Sequence, residues 1–456
     1  MTTGKPASLI LRFAIPLIIG NFLQQTYSIV DSLVVGNYIG KEALGAVGST
    51  SPLTFLFISL FMGIGIGGTV VISQFFGAKN NERVQMTIET MYKAFIVISV
   101  ILTILSSYFV DELIHLIGVP EEISGMAKDY IEIIFLGYIG LFGYNINNCI
   151  LQGLGDSVSN VIYLTISVVM NIVLDFLFVG YMNFGVAGAA YATIISNFSS
   201  FLFGIWHINK SKTGFRIRLF TKNFDSKTLG EVVRLGVPAG MQNVIFSLGM
   251  IVVIRLVNSY GTDFIAGYNA AIKIDGLAFL PMTSFASAVT AYVGQNVGAG
   301  QLDRVRHGVR SALIINTITS AVLSTLVIIL GPHLLNLFLD EYDAGVINAG
   351  MAYIYRIVPF LFLLGILFVF NCALRGAGSS IYPMFVTLIS LILGRAPLAY
   401  FLADHFGRDA LYYAWPLGWV VGLMLVIPMY FSGRWRDKAS RIHGEKMLHI
   451  KERAEA

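Results

Sequence analysis

Twelve apolar stretches, each long enough to cross a lipid bilayer, follow one another through this chain with little sequence between them. They run over about 9–37, 45–76, 89–110, 124–151, 158–181, 186–208, 229–258, 264–295, 309–339, 346–374, 380–402 and 410–432. A spanning helix needs roughly 20 apolar residues. Inside lipid only helices and closed barrels satisfy every backbone polar group. Runs of this length therefore predict an all-α polytopic membrane protein. Composition agrees: 12% of the 456 residues are charged, against about 25% in soluble domains. A soluble enzyme or a nucleic-acid-binding protein is excluded at this point. Cys149 and Cys372 both fall in apolar stretches and are read as small buried hydrophobes rather than a disulfide. The seven histidines show no metal-ligand spacing.

Lysine and arginine give the orientation. Basic residues collect after the even-numbered stretches: Lys79 and Arg83, then Lys210, Lys212, Arg216, Arg218, Lys222 and Lys227, then Arg304 and Arg306, and finally the tail. Asp111, Glu112, Glu121 and Glu122 mark one opposite-side loop, and Asp340, Glu341 and Asp343 another. The positive-inside rule predicts that both termini are cytoplasmic. The expected organisation is an N-lobe over 1–208, a basic cytoplasmic linker over 209–228, a C-lobe over 229–432 and a cytoplasmic tail over 433–456.

The two halves repeat each other. LRFAIP at 11–16 matches VRLGVP at 233–238, SQFFGAKNNERV at 73–84 matches GQNVGAGQLDRV at 294–305, and NCILQGLGDS at 148–157 matches NCALRGAGSS at 371–380. The offset stays between 221 and 223 residues. Six spans per half is an even number, so both copies enter the membrane in the same sense. The predicted pseudo-two-fold axis lies along the membrane normal, as in many secondary transporters. Pro16 and Pro238 are repeat-equivalent, and each is expected to kink a helix.

Against this apolar background the embedded polar residues stand out, because an ionisable side chain in a span is costly and marks a functional site by default. Gln24, Tyr27, Ser28 and Asp31 fall at i, i+3, i+4 and i+7 in the first stretch and share one helix face. Asn171 and Asp175 share a face in the fifth. Counted from the span ends, Asp31, Asp175 and Thr193 of the sixth all lie roughly 10 Å below the outer surface. Two carboxylates with an amide and a hydroxyl at one level can share a proton or hold a small cation. The second half differs: Gly394 and Leu398 stand where the repeat has Asn171 and Asp175. It offers instead Lys273 and Asp275, Arg356 and Arg395. Asn145 and Asn148, with Lys273, Asp275 and Arg356, are candidates to line a substrate cavity, and Gln24 and Tyr27 are expected to face it too.

The whole chain resembles the multidrug and toxic compound extrusion family, MATE. The resemblance rests on the six-plus-six repeat, the run VDSLVVGNYIGKEALGAVG after the first stretch, GAK with ER after the second, QGLGDS after the fourth, and N-x-x-x-D followed by GAAYATIISN. It implies a V-shaped, rocker-switch exporter that expels cationic or amphipathic organic compounds in exchange for H⁺ or Na⁺. It maps an ion site onto Asp31, Asn171, Asp175 and Thr193, with Gln24, Tyr27 and Ser28 beside it and Na⁺ as one ion that could sit there. It maps a hinge onto Pro16. The acidic C-lobe Na⁺ site of one family branch is missing, since no acid lies between Pro238 and Ile254.

The alternative within transport is a lipid-linked saccharide flippase of a related branch, which Lys273, Arg356 and Arg395 would suit better than the embedded acids do. An enzyme is not expected: the chain has no nucleophile elbow, catalytic His/Asp pair or phosphate loop. The expected partners are small organic substrates and membrane lipid, with no nucleic acid, for a monomer in a prokaryotic inner membrane. No cofactor is expected beyond the coupling ion.

Overall fold

Each apolar stretch becomes a helix, and the polar residues that flank the stretches lengthen those helices past what lipid requires. The computed structural model describes residues 1–211, 214–218, 224–337 and 343–436. Lys212, Lys222, Asp340, Glu341 and the tail beyond residue 436 lie outside them. The spans are α1 Pro6–Tyr38, α2 Lys41–Gly77, α3 Asn81–Tyr108, α4 in two segments Glu121–Leu136 and Tyr138–Leu154, α5 Val158–Tyr181, α6 Gly185–Lys210, α7 Ser226–Tyr260, α8 Thr262–Gly298, α9 Leu302–Asn336, α10 Ala344–Gly376, α11 Ile381–Phe406 and α12 Arg408–Phe431. No strand occurs among the described residues.

Two local features depart from the expected pattern. The fourth span is broken at Gly137, where its halves meet at 52°. There a Cβ would collide with the side chain of Ile194, so the close approach of α6 requires glycine. Asp111 and Glu112, expected in a loop, sit in the first turn of a short helix, Val110–Leu116. Acidic residues in a first turn favour such a helix through its dipole.

Capping explains several early starts. Asn80 accepts from the Arg83 backbone N–H at 3.1 Å to open α3, and Asp343 accepts from Gly345 N–H at 2.7 Å to open α10. Asp225 precedes α7. It takes hydrogen bonds from the Thr228 hydroxyl at 2.6 Å and backbone N–H at 3.2 Å, and a salt bridge from Arg83 at 2.9 Å. The Thr228 hydroxyl, above the other contacts, holds this carboxyl below the usual carboxylate range.

The repeat is visible in side-chain contacts. Thr69 of α2 donates to the Cys149 carbonyl of α4 at 2.9 Å, and Thr290 of α8 donates to the Cys372 carbonyl of α10 at 3.4 Å. Both cysteines are buried and free. Gly153 and Gly376 complete the two contacts. A Cβ on Gly153 would lie 3.0 Å from the Thr69 carbonyl oxygen, and one on Gly376 would lie 2.6 Å from that of Thr290. Small residues at such crossings let membrane helices approach closely. Gly376→Val is therefore expected to cost ~1–3 kcal/mol, as overpacking does, and thermal unfolding in detergent should show a lower midpoint.

The chain forms two compact units. The first contains Pro16–Phe76 and Asn80–Val237; the second contains Met1–Ile15, Gly77–Lys79 and the chain from Pro238 onward. The sequence puts its divide in the linker 209–228, whereas these units divide inside helices, at the repeat-equivalent prolines Pro16 and Pro238. A proline removes one backbone hydrogen bond and obstructs the preceding turn, so α1 and α7 can each belong to one unit before the proline and to the other after it.

Candidate functional site

In the first unit three helices bring oxygen atoms to one point. The 3.6-residue period puts Tyr27 and Asp31 of α1 one turn apart, and Asn171 and Asp175 of α5 likewise. Thr193 reaches in from α6. Tyr27 and Thr193 share a hydrogen bond through their hydroxyls at 3.3 Å. With its amide oriented to satisfy its neighbours, Asn171 donates to Asp175 Oδ2 at 2.6 Å and accepts from the Thr193 backbone N–H at 3.2 Å. Asp175 is 0% exposed, Asn171 2% and Asp31 9%. Immediately after Asp175, α5 widens into a π-helical stretch, Phe176–Tyr181, a distortion common at functional sites.

The carboxyl groups of Asp31 and Asp175 lie within hydrogen-bonding reach of each other. An ionised carboxylate only accepts hydrogen bonds, so a proton or a cation between them would relieve their repulsion. Oδ1 of each acid has no hydrogen-bond partner. Among the described residues, no lysine or arginine acts on either acid. Buried carboxylates without a positive partner are costly in a low-dielectric surrounding. The donor set of two carboxylates, an amide oxygen and two hydroxyls suits a hard monovalent cation or a shared proton. Among the described residues no group of three or more His, Cys, Asp and Glu side chains is placed to hold a metal ion.

Other residues singled out from the sequence lie elsewhere. Gln24 and Ser28 are on the exposed side of α1. Asn145 donates back to the Leu141 carbonyl of its own helix at 2.8 Å. Asn148 lies within side-chain hydrogen-bonding reach of Tyr144, and its Oδ1 has no partner. In the second unit Lys273 is exposed, while Asp275 accepts from the Tyr353 hydroxyl at 2.9 Å. Arg356 donates to the Ala352 carbonyl at 3.1 Å and lies 3.6 Å from Asp409. It lines a groove of about 840 Å³ with Phe360, Leu363, Phe406, Arg408 and Tyr413.

Two residues escape the sequence reading. Tyr130 of α4 comes close to Asp31, Tyr27 and Asp175; its only signal was a phenol inside the fourth apolar stretch. Asn147, which is 0% exposed, joins Tyr92 of α3 to α6 by accepting from the Tyr92 hydroxyl and donating to the Phe201 carbonyl at 3.0 Å. Its neighbours Asn145 and Asn148 hid it, since three amides within four residues cannot be ranked without knowing the buried face.

The MatE family model matches residues 16–177 and 238–401. Each matched segment begins at one of the two repeat-equivalent prolines. The chain is 31% identical over 450 residues to a protein of Bacillus subtilis named "Probable multidrug resistance protein YpnP", covering 98% of this chain and 99% of that one. It is 27% identical over 441 residues to "Probable multidrug resistance protein NorM" of Thermotoga maritima, covering 94% and 93%. A solved structure described as the outward-facing conformation of a multidrug resistance MATE family transporter superposes with a TM-score of 0.88 at 23% identity, covering 97% of both chains.

Proposed function

The chain belongs to the MatE family of membrane transporters, and from that premise we propose that it exports cationic or amphipathic organic compounds, each exchanged for H⁺ or Na⁺ held by Asp31, Asn171, Asp175 and Thr193. The observation that carries the ion-coupled reading is that the two carboxyl groups lie within hydrogen-bonding reach of each other, with no cationic partner among the described residues and one unpartnered oxygen on each. A site that must gain and lose a monovalent ion needs donors that no resident cation already satisfies. Tyr27 and Thr193 add hydroxyls that can follow the ion.

The excess of lysine and arginine after the even-numbered spans supports a cytoplasmic position for both termini, and the bacterial relatives support a cell-membrane location. A lipid-linked saccharide flippase would need cations offered to a pyrophosphate. Arg395 is instead 2% exposed against Trp415, and Arg356 is engaged by Ala352 and Asp409.

The test is flux in proteoliposomes. A fluorescent organic cation should be driven by an imposed pH or Na⁺ gradient of the correct sign and should stay at equilibrium without one. Flux that ignores both gradients would reject the ion-coupled reading while leaving family membership intact.

A further inference from the structure

The second unit contains a buried cation that the export reading does not use. Arg395 ends a π-helical stretch of α11, Ile389–Arg395, and is 2% exposed. Its guanidinium carbon lies 3.9 Å from the centre of the Trp415 ring. One terminal nitrogen reaches the Met250 sulfur at 3.0 Å, and Nε has no partner. Tyr268 of α8 and Tyr353 of α10 lie within electrostatic reach of it, and Tyr412 of α12 packs against Tyr353 and Trp415; each of the three is at most 1% exposed. Ring centres lie 5.7 Å apart for Tyr268 and Tyr353, 5.3 Å for Tyr353 and Tyr412, and 6.2 Å for Tyr412 and Trp415. Asp275 is within electrostatic reach of the guanidinium, yet its Oδ2 is held by Tyr353 and its Oδ1 has no partner. No ion pair within 4.0 Å joins the acid and the base.

An aromatic face with a carboxylate nearby is one way proteins hold a delocalised organic cation. A guanidinium suits it because it is planar, weakly hydrated and stacks on ring faces. The contrast with the first unit is one of charge. There, two acids meet and no cation acts on them among the described residues. Here, the repeat replaces Asn171 and Asp175 by Gly394 and Leu398, and the residue after Gly394 is the arginine. The charged and titratable groups facing Asp275 are Tyr353 and Arg395 from neighbouring helices and Tyr268 from its own, which also carries the exposed Lys273.

We propose that the second unit holds a built guanidinium site, the Trp415 ring face with Tyr268 and Tyr353 beside it and Asp275 as its anion, and that Arg395 fills it as a tethered counter-ion that keeps Asp275 out of ion exchange. The unit is thereby balanced from within, and exchangeable ions are left to the first unit. Because Arg395 is held by the Trp415 ring face and attraction at a distance rather than by a bidentate salt bridge, a free guanidinium can stand in for it once it is removed. The proposal concerns binding and does not depend on the exported substrate.

The experiment measures thermal unfolding of the full chain in detergent, with millimolar methylguanidinium compared against sodium chloride at equal ionic strength. Wild type should not respond. Arg395→Ala should unfold several degrees lower and recover a substantial part of that loss with methylguanidinium. Adding Asp275→Asn to Arg395→Ala should remove the recovery. No recovery in Arg395→Ala, or equal recovery in the double variant, overturns the proposal. If Arg395→Ala yields no folded protein, a double-mutant cycle of Arg395→Met and Asp275→Asn decides. A double variant that loses less than the summed single losses supports the counter-ion. Additive or greater losses overturn it.

Discussion

Asp175→Asn is expected to reduce gradient-driven export to background while leaving the midpoint of thermal unfolding unchanged or higher. The two halves of that expectation have different causes. Asparagine keeps the shape and one acceptor oxygen for the Asn171 amide, which now bonds Asp175 Oδ2 at 2.6 Å, so the α5 face can still pack. It removes a carboxylate that is 0% exposed and has an unpartnered oxygen. Deleting a buried, poorly compensated charge relieves desolvation cost, so stability should not suffer. The same change leaves nothing at that position to take up and release a proton, and it weakens any cation site by one full charge. Asp31→Asn should act in the same direction. Flux assays and melting curves on the same preparations check both halves. Normal flux in both variants would locate coupling elsewhere, and lost flux accompanied by a collapsed midpoint would reassign the acids to folding.

How much of this could be read beforehand differs from residue to residue. The twelve spans were legible because lipid tolerates few structures and requires a minimum length. The level shared by Asp31, Asp175 and Thr193 was legible because a helix rises by a fixed amount per residue. Which residues share the level and also touch depends on helix rotation, which periodicity alone does not fix for a helix that is apolar on all sides. Hence Gln24 and Ser28, on the stripe with Asp31, are exposed, while Tyr130 arrives from a different helix. The 52° break at Gly137 was hidden because the steric demand of Ile194 is a tertiary fact. Asp275 and Arg395 were visible as charges. Their aromatic surroundings were not, since Tyr268, Tyr353 and Trp415 are spread over three helices.

Pro16→Ala is expected to raise the unfolding midpoint and, at the same time, to weaken the dependence of substrate affinity on H⁺ or Na⁺. The stability half follows from restoring a backbone hydrogen bond and removing a ring from the preceding turn, a change of ~3 kcal/mol in an exposed helix interior and less where the helix is already bent. The coupling half is a hypothesis motivated by position. Pro16 is where α1 passes from the second unit to the first, and Asp31 lies 15 residues further along the same helix. With both acids charged, repulsion separates the α1 and α5 faces and leaves room for a bulky ligand. With a proton or Na⁺ bound, the faces close, α1 bends at Pro16 and the ligand loses its space. Ion and substrate then exclude each other, and the coupling is reciprocal, typically 5- to 150-fold in affinity or ~1–3 kcal/mol. Stiffening α1 should shrink that factor. Pro238→Ala is the matched control, because α7 carries no acid from Pro238 to Val257. It should raise stability without changing ion dependence. Substrate affinities at high and low pH, with and without Na⁺, separate the outcomes. Equal ion dependence in wild type and Pro16→Ala would take the proline out of the mechanism. Loss of ion dependence in Pro238→Ala as well would mean that any stiffening suffices, so that α1 holds no special place.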